Sequence, residues 1–398
     1  MQRREFIRRT IATAATVPLA AGGTALFAAP DAPVRVLVVF LRGGYDAASL
    51  LVPTPCSYYY EQRPNIAIAR PGTAADAALP LDADWALNPS LRETVLPLFL
   101  KKQAAFVPFA GTDDASRSHF ETQDTIELGQ AEQHSRNYRS GFLNRLATVL
   151  GGRDAISFTD QLPLIFRGDA QVPNLALASL GRAGIDGRQS DIIASMYSGS
   201  PLASAVSEGF DVRSRATEAL AGEMVEANRN ALTAKGFEGE ARRIGRLMRE
   251  RYHLGFVDVG GWDTHVGQGN GTGYLANRLG ELGKGLAAFA EESGEGWNRT
   301  MVFVVSEFGR TFKENGNRGT DHGHGSVFWA LGGAVRGGRI AGEQVAVVPQ
   351  SMFQNRDYPV KNEYRAVLGG VFARLYGLSG AQVQAVFPGS RPVDIGLV

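Results

Sequence analysis

Four groups of carboxylates, hydroxyls and imidazoles stand out in this chain of 398 residues. Asp46 comes first. Asp113, Asp114, Ser116, Ser118 and His119 follow, then Asp263 and His265. The last group is Glu307, with Asp321, His322 and His324 in the stretch "GTDHGHG" beyond it. Carboxylate oxygens and imidazole nitrogens together suit Zn²⁺, Mn²⁺, Fe or Co. Ca²⁺ prefers oxygen alone. Two ions about 4 Å apart need roughly six to eight ligands. Asp46, Asp263, His265, Glu307, Asp321, His322 and His324 reach that count. The expected cofactor is therefore a divalent metal, Zn or Mn, as one or two ions.

Singly, each of these residues has a structural explanation. Asp321 can close a turn. Glu307 can pair with Arg310, and Asp263-Thr264 can form an Asx-turn. Ser116-Arg117-Ser118 can cap a helix, with Glu121 completing a capping box. Their common placement argues for a shared site. The apolar runs Val34–Leu41, Ala104–Gly111, Tyr252–Gly261 and Thr300–Gly309 read as buried strands, with Ser326–Val335 as a fifth. Each polar group lies just past the end of one of the first four. In open α/β sheets, ligands bind at the carboxyl ends of the strands.

Between the strands lie helical patterns. Leu275, Leu279, Leu282, Leu286 and Phe289 form one apolar stripe at three- and four-residue steps. The segment from Asp211 to Tyr252 reads as one or two amphipathic helices. Strands alternating with helices predict an α/β fold of three layers, with a mostly parallel central sheet and helices on both faces. One domain over residues 31–398 is expected, with 190–250 as a possible helical cap or insertion.

The N-terminus places Arg3-Arg4 and Phe6 before an apolar stretch of small residues. This is the layout of an export signal, here of the twin-arginine type, over residues 1–29. Its loss removes four arginines and one glutamate and leaves a near-neutral body, which argues against nucleic acid or an anionic membrane as partner. No apolar run beyond it is long enough to span a membrane. Cys56 is the only cysteine, so no internal disulfide is expected. The first strand runs into "RGGYDA" and not into a G-x-G-x-x-G fingerprint. A P-loop, a G-x-S-x-G elbow and H-E-x-x-H are absent as well.

The stretches "VVFLRGGYDAASLLVP", "SRSHFETQD", "GGWDTH", "SEFGRTFKENGNRGTDHGHG" and "GGAVRGGRIAG" resemble a large uncharacterised family of twin-arginine-exported bacterial proteins. That family is grouped with the alkaline phosphatase and sulfatase superfamily. The resemblance implies an alkaline-phosphatase-like fold. It matches Asp46 to the metal-binding Asp after the first strand, and Asp263 and His265 to an Asp and a His on one metal. Glu307 stands where an Asp is usual, followed by Phe308 where a His is usual. His322 or His324 would be the late ligand. Thr112, Ser116 or Ser118 lies where a nucleophile is expected, with Ser118 the first choice beside His119. Arg117 or Arg310 would steady an anion. The C-x-P-x-R and S-x-P-x-R motifs of aldehyde-forming sulfatases are absent.

These readings predict an exported, metal-dependent hydrolase or transferase acting on a phosphate or sulfate ester. Its catalytic residues would be Ser118, His119 and Arg117. Its substrate would be a small anionic ester or a glycan-linked one, met in the periplasm. The alternative is a non-catalytic envelope protein that keeps the fold and binds an anion, a glycan or a protein partner.

Overall fold

A computed structural model describes residues 34–131, 136–177, 192, 193, 195–204, 206 and 236–398. All of them belong to the unit Ala32–Val398. The export segment over 1–29 and most of the expected cap over 190–250 lie outside the described residues; Phe237 to Glu250 is a helix.

The continuous apolar runs become central strands. In chain order the strands among the described residues are β1 (Arg35–Leu41), β2 (Leu51–Pro53), β3 (Leu79–Pro80), β4 (Trp85–Leu87), β5 (Ala104–Gly111), β6 (Ala155–Ser157), β7 (Leu254–Val259), β8 (Thr300–Ser306), β9 (Ser326–Leu331), β10 (Arg339–Ile340) and β11 (Asn362–Glu363). The main sheet has the order β10-β5-β9-β8-β1-β7-β6, and β11 also pairs with β5. Val39 of β1 lies opposite Val257 of β7 and Val304 of β8, both in parallel register. Only β9 runs against its neighbours β5 and β8. Strands β2, β4 and β3 form a separate antiparallel sheet that the sequence reading did not contain.

The helices that matter here are α1 (His119–Leu128), α2 (Phe142–Val149), α3 (Phe237–Glu250), α4 (Tyr274–Ser293), α5 (Tyr364–Tyr376) and α6 (Gly380–Val386). They cover both faces of the sheet. On β1, Leu37, Val39 and Leu41 enter the core shared with α3 and α4. Val36, Val38 and Phe40 enter the core shared with α2, α5 and α6. A strand's two-residue period thus feeds two separate cores, and this makes the strand apolar throughout. Each side chain so buried contributes about 1.5–3 kcal/mol. The predicted stripe Leu275, Leu279, Leu282, Leu286 and Phe289 is buried along α4. The chain is a three-layer α/β domain, as expected.

Because β1, β5, β7 and β8 are parallel, their carboxyl ends share one edge. The loops after them all meet there. The antiparallel β9 starts from that edge, so the Gly319–Gly325 loop that precedes it arrives at the same place. Here Gly309 N–H donates to His324 O at 2.9 Å, Gly323 N–H to Gly309 O at 2.9 Å, and Thr311 N–H to Asp321 O at 2.9 Å. Two loops therefore lie backbone against backbone.

The glycines permit this approach. A Cβ on Gly309 would stand 1.9 Å from Gly325 O, one on Gly323 2.4 Å from the Arg310 carbonyl carbon, and one on Gly319 2.4 Å from His265 O. None of the three has a positive φ. Close backbone contact, and not a left-handed turn, is what requires glycine at these three positions. Gly323→Ala should cost about 1–3 kcal/mol of unfolding free energy through overpacking. Gly260→Ala, where an added Cβ meets nothing within 4 Å, should stay within about 0.5 kcal/mol of wild type. Urea unfolding of the two variants side by side checks this.

Candidate metal centre

His119 is the first residue of α1, in the loop-to-helix step after β5. His265 follows β7, and His322 lies in the loop before β9. The three imidazoles reach one another through their Nε2 atoms. His119 Nε2 stands 3.0 Å from His322 Nε2, and His265 Nε2 stands 3.1 Å from it. Asp263 adds its carboxylate: Oδ1 is 2.9 Å from His265 Nε2 and 3.3 Å from His322 Nε2, and Oδ2 is 3.7 Å from His119 Nε2. His119, Asp263 and His322 each offer a ligand atom within 4.8 Å of the other two.

The opposite ring edges decide which nitrogen carries the proton. His119 Nδ1 lies 2.8 Å from Glu307 Oε1. His265 Nδ1 lies 3.2 Å from Asp321 Oδ1. His322 Nδ1 lies 3.1 Å from the Arg117 carbonyl. A carbonyl only accepts, and so does an ionised carboxylate. With hydrogen on each Nδ1, each Nε2 would turn a lone pair toward the others and toward the Asp263 carboxylate, which itself only accepts. Three converging lone pairs cannot satisfy one another. One extra proton could bridge one Nε2 pair but not both. Imidazoles backed by carboxylates or carbonyls, with their free nitrogens aimed at one point, are the donor set of a divalent transition metal.

Glu307 is the best-held of the backing groups. It is fully buried. Its Oε1 accepts from Gly43 N–H at 2.8 Å, from Gln123 Nε2 at 2.9 Å and from His119; Oε2 accepts from Ser306 Oγ at 2.9 Å. Burial opposes its ionisation, but the hydrogen bonds from His119, Gln123 and Gly43 outweigh this and hold the carboxyl below its ordinary range. In return, the bond to Glu307 raises His119. Burial lowers His322, helped by the charges of His119 and Arg310. Burial also works against Asp263, yet Arg310 holds it below the usual carboxylate range.

Arg310 brings a guanidinium into the cluster. Its side chain is wholly buried, and its Nη2 donates to Asp263 Oδ1 at 2.5 Å. Its Nη1 lies 3.4 Å from His265 Nε2. The sequence suggested an Arg310–Glu307 pair; Arg310 pairs with Asp263 instead. Phe308 packs its ring 4.9 Å from His119 and 5.1 Å from His322, centroid to centroid. It fills the place of the histidine usual there with an apolar wall for two other histidines.

The remaining predicted residues lie elsewhere or behind the ligands. Glu307 and Asp321 orient histidines. His324 is buried against Phe353, with ring centroids 4.5 Å apart, and takes no part in the cluster. The second histidine of "GTDHGHG" thus does not replace the one that Phe308 displaces. Asp46 is fully engaged away from the cluster. Arg63 binds it through Nη1 at 2.5 Å and Nη2 at 2.9 Å, while Ser49 Oγ and Gln268 Nε2 each donate at 2.7 Å. Arg117 commits its guanidinium to the buried Asp357, at 2.7 and 3.0 Å. Its φ of 57° turns its carbonyl to His322. Thr112 Oγ1 and Ser116 Oγ serve the turn before α1. Ser118 is the N-cap residue of α1, and its hydroxyl makes no hydrogen bond to the cluster among the described residues.

The reading from sequence placed His119 among the catalytic residues and not among the ligands, and missed Gln123. The signal for both was their spacing. Residues four apart on a helix share a face, and His119 and Gln123 both reach Glu307 Oε1.

A family model described as "Protein of unknown function (DUF1501)" matches residues 33–387. The chain belongs to this family. No protein among those with curated functions matches this DUF1501 chain. Among solved structures it is similar to a protein in the alkaline phosphatase superfamily from Vibrio parahaemolyticus, with 13% identity and a TM-score of 0.35 over 76% of this chain and 60% of that one. It is also similar to Ps i-CgsB in complex with k-i-k-neocarrahexaose, at 9% identity and TM-score 0.34 over 88% of this chain and 74% of that one. Ps i-CgsB alone gives 10% identity and TM-score 0.34 over 90% and 75%. The chain thus spans under two thirds of the Vibrio protein. Among the described residues, no helix is long and apolar enough to cross a membrane.

Asp46 offers a direct check on which carboxylates would serve a metal. Burial opposes its ionisation, but Arg63 and the bonds from Ser49 and Gln268 hold it ionised. Asp46→Asn would leave Arg63 buried without its counter-ion, at a cost of about 3–5 kcal/mol. The variant should melt well below wild type yet keep its full metal content when folded, as read by calorimetry and elemental analysis.

Proposed function

We propose that this chain is an exported, metal-dependent hydrolase of a phosphate or sulfate ester. The observation that carries the reading is the convergence of His119, His265 and His322 through Nε2, with Asp263 beside them and Arg310 behind. These four side chains would hold one ion, not two, because Asp46 and His324 are engaged elsewhere and Glu307 and Asp321 back histidines. The donor set, three imidazoles and one carboxylate, fits Zn²⁺ or Mn²⁺. Such an ion supplies Lewis acidity toward an ester oxygen.

The protein's own residues do the rest. Glu307, Asp321 and the Arg117 carbonyl fix the imidazole tautomers. Phe308 excludes water from one side of the cluster. Arg310 offers a buried guanidinium that can turn from Asp263 to an ester anion, the fork geometry that phosphate and sulfate accept. Among the described residues no hydroxyl side chain bonds to the three histidines or to Asp263, which supports attack by water over a serine intermediate. Export through the twin-arginine route rests on Arg3-Arg4 and the apolar segment that follows.

Elemental analysis of purified protein should give about one transition metal per chain. His119→Ala and His322→Ala should lose it, and turnover of aryl phosphate, phosphodiester or sulfate esters should fall to background with it. Ser118→Ala should keep both metal and turnover. Turnover that survives in His322→Ala would overturn the reading. A metal-loaded wild type inert toward the whole panel would favour the binding-protein alternative.

A further inference from the structure

A groove of about 390 Å³ runs along α1. The helix contributes Phe120, Gln123, Asp124 and Glu127. These positions fall at i, i+3, i+4 and i+7, so one helical stripe forms one wall. That stripe carries a ring and three polar groups where a packed helix would be apolar. The other wall comes from the segment after β6 and includes Asp160, Gln161 and Arg167.

The floor is fixed. Arg42 donates to Asp258 at 2.6 Å, to Gln123 at 2.8 Å and to Glu127 at 2.8 Å. Glu127 also accepts the Ile165 N–H at 3.1 Å, which ties the two walls together. The rim is free. The side chains of Asp124, Asp160, Gln161 and Arg167 line the groove, and none makes a hydrogen bond to another described residue. Phe120 stands over them 84% exposed. Gln123 joins the groove to the metal centre, since its Oε1 accepts from Arg42 and its Nε2 donates to Glu307. Phe120 itself follows His119 directly.

We infer that this groove binds a neutral sugar ring and so selects the glycan part of a substrate whose ester lies at the histidine cluster. The inference rests on the proposed ester chemistry for its purpose, though not for its test. A pyranose has an apolar C–H face, which buries well on an exposed aromatic ring. Its hydroxyls each donate and accept, and the free rim offers both acceptors (Asp124, Asp160) and donors (Arg167), with Gln161 able to do either. The lining sets two guanidinium groups against four carboxylates. A second anion would be repelled there, so the groove suits an uncharged unit, and the anion stays with Arg310.

The test is saturation-transfer NMR on the full chain with four neutral hexasaccharides: cellohexaose, maltohexaose, chitohexaose and neoagarohexaose. At least one should bind. Phe120→Ala and Arg167→Ala should each weaken that binding at least tenfold. Leu100→Ala, which removes another solvent-facing apolar side chain, just before the amino end of β5 (71% exposed), should leave it unchanged. Phe120 is exposed, so its variant should melt as wild type does and its loss of binding cannot be blamed on unfolding. Binding should persist after chelator treatment, which separates this result from success or failure of the metal centre. Absence of binding by all four sugars, binding that ignores Phe120→Ala, or binding lost with the metal would each overturn the groove.

Discussion

The candidate site depends on one buried carboxylate. Glu307 accepts hydrogen bonds from the loop after β1 through Gly43 N–H, from α1 through Gln123 and His119, and from its own strand end through Ser306. A buried charge is costly unless every lone pair is used. Glu307 is paired in this way only when the ends of β1 and β8 and the start of α1 all lie in their native places. The same bonds that stabilise the charge aim the His119 ring. Structure and function are thus coupled through a single residue: what satisfies Glu307 also presents Nε2 of His119 to its partners.

A second buried charge secures the outer side of the edge. Arg63 donates to Asp46 and to the carbonyls of Thr311 and Phe312. Gln268 joins them by binding Asp46, with Thr264 and Thr320 donating to its amide oxygen. The loops after β1, β7 and β8 are held here without any metal. An ion at the histidine cluster would meet a frame already set. Preorganisation of this kind lowers the cost of ordering ligands on binding.

Much of this was legible in the sequence because it followed from the sheet. Apolar runs without alternation marked strands buried on both faces, and the polar residues just beyond them had to share an edge once those strands were parallel. Asp263, His265 and His322 were placed in the site by that reasoning alone. What the sequence could not show was which member of a pair faces which way. Asp46 and Glu307 look alike after their strands, yet one meets Arg63 and the other meets His119. His322 and His324 are two residues apart, a spacing that would share one face in extended backbone, and only packing against Phe308 or Phe353 tells them apart. Arg63 lies in a stretch with no chemical signature. The short strands β2, β3, β4 and β6 were missed for a related reason: with two or three residues each, they carry no period to read.

The most direct test is a crystal structure of the protein grown with Zn²⁺ or Mn²⁺, with the ion located by its anomalous scattering. The account predicts one ion within about 2.0–2.2 Å of His119, His265 and His322 Nε2 and of an Asp263 oxygen, with Asp46 still on Arg63. An ion held by Asp46, His324 or the Glu307 carboxylate, or no ion at the three imidazoles, would contradict it.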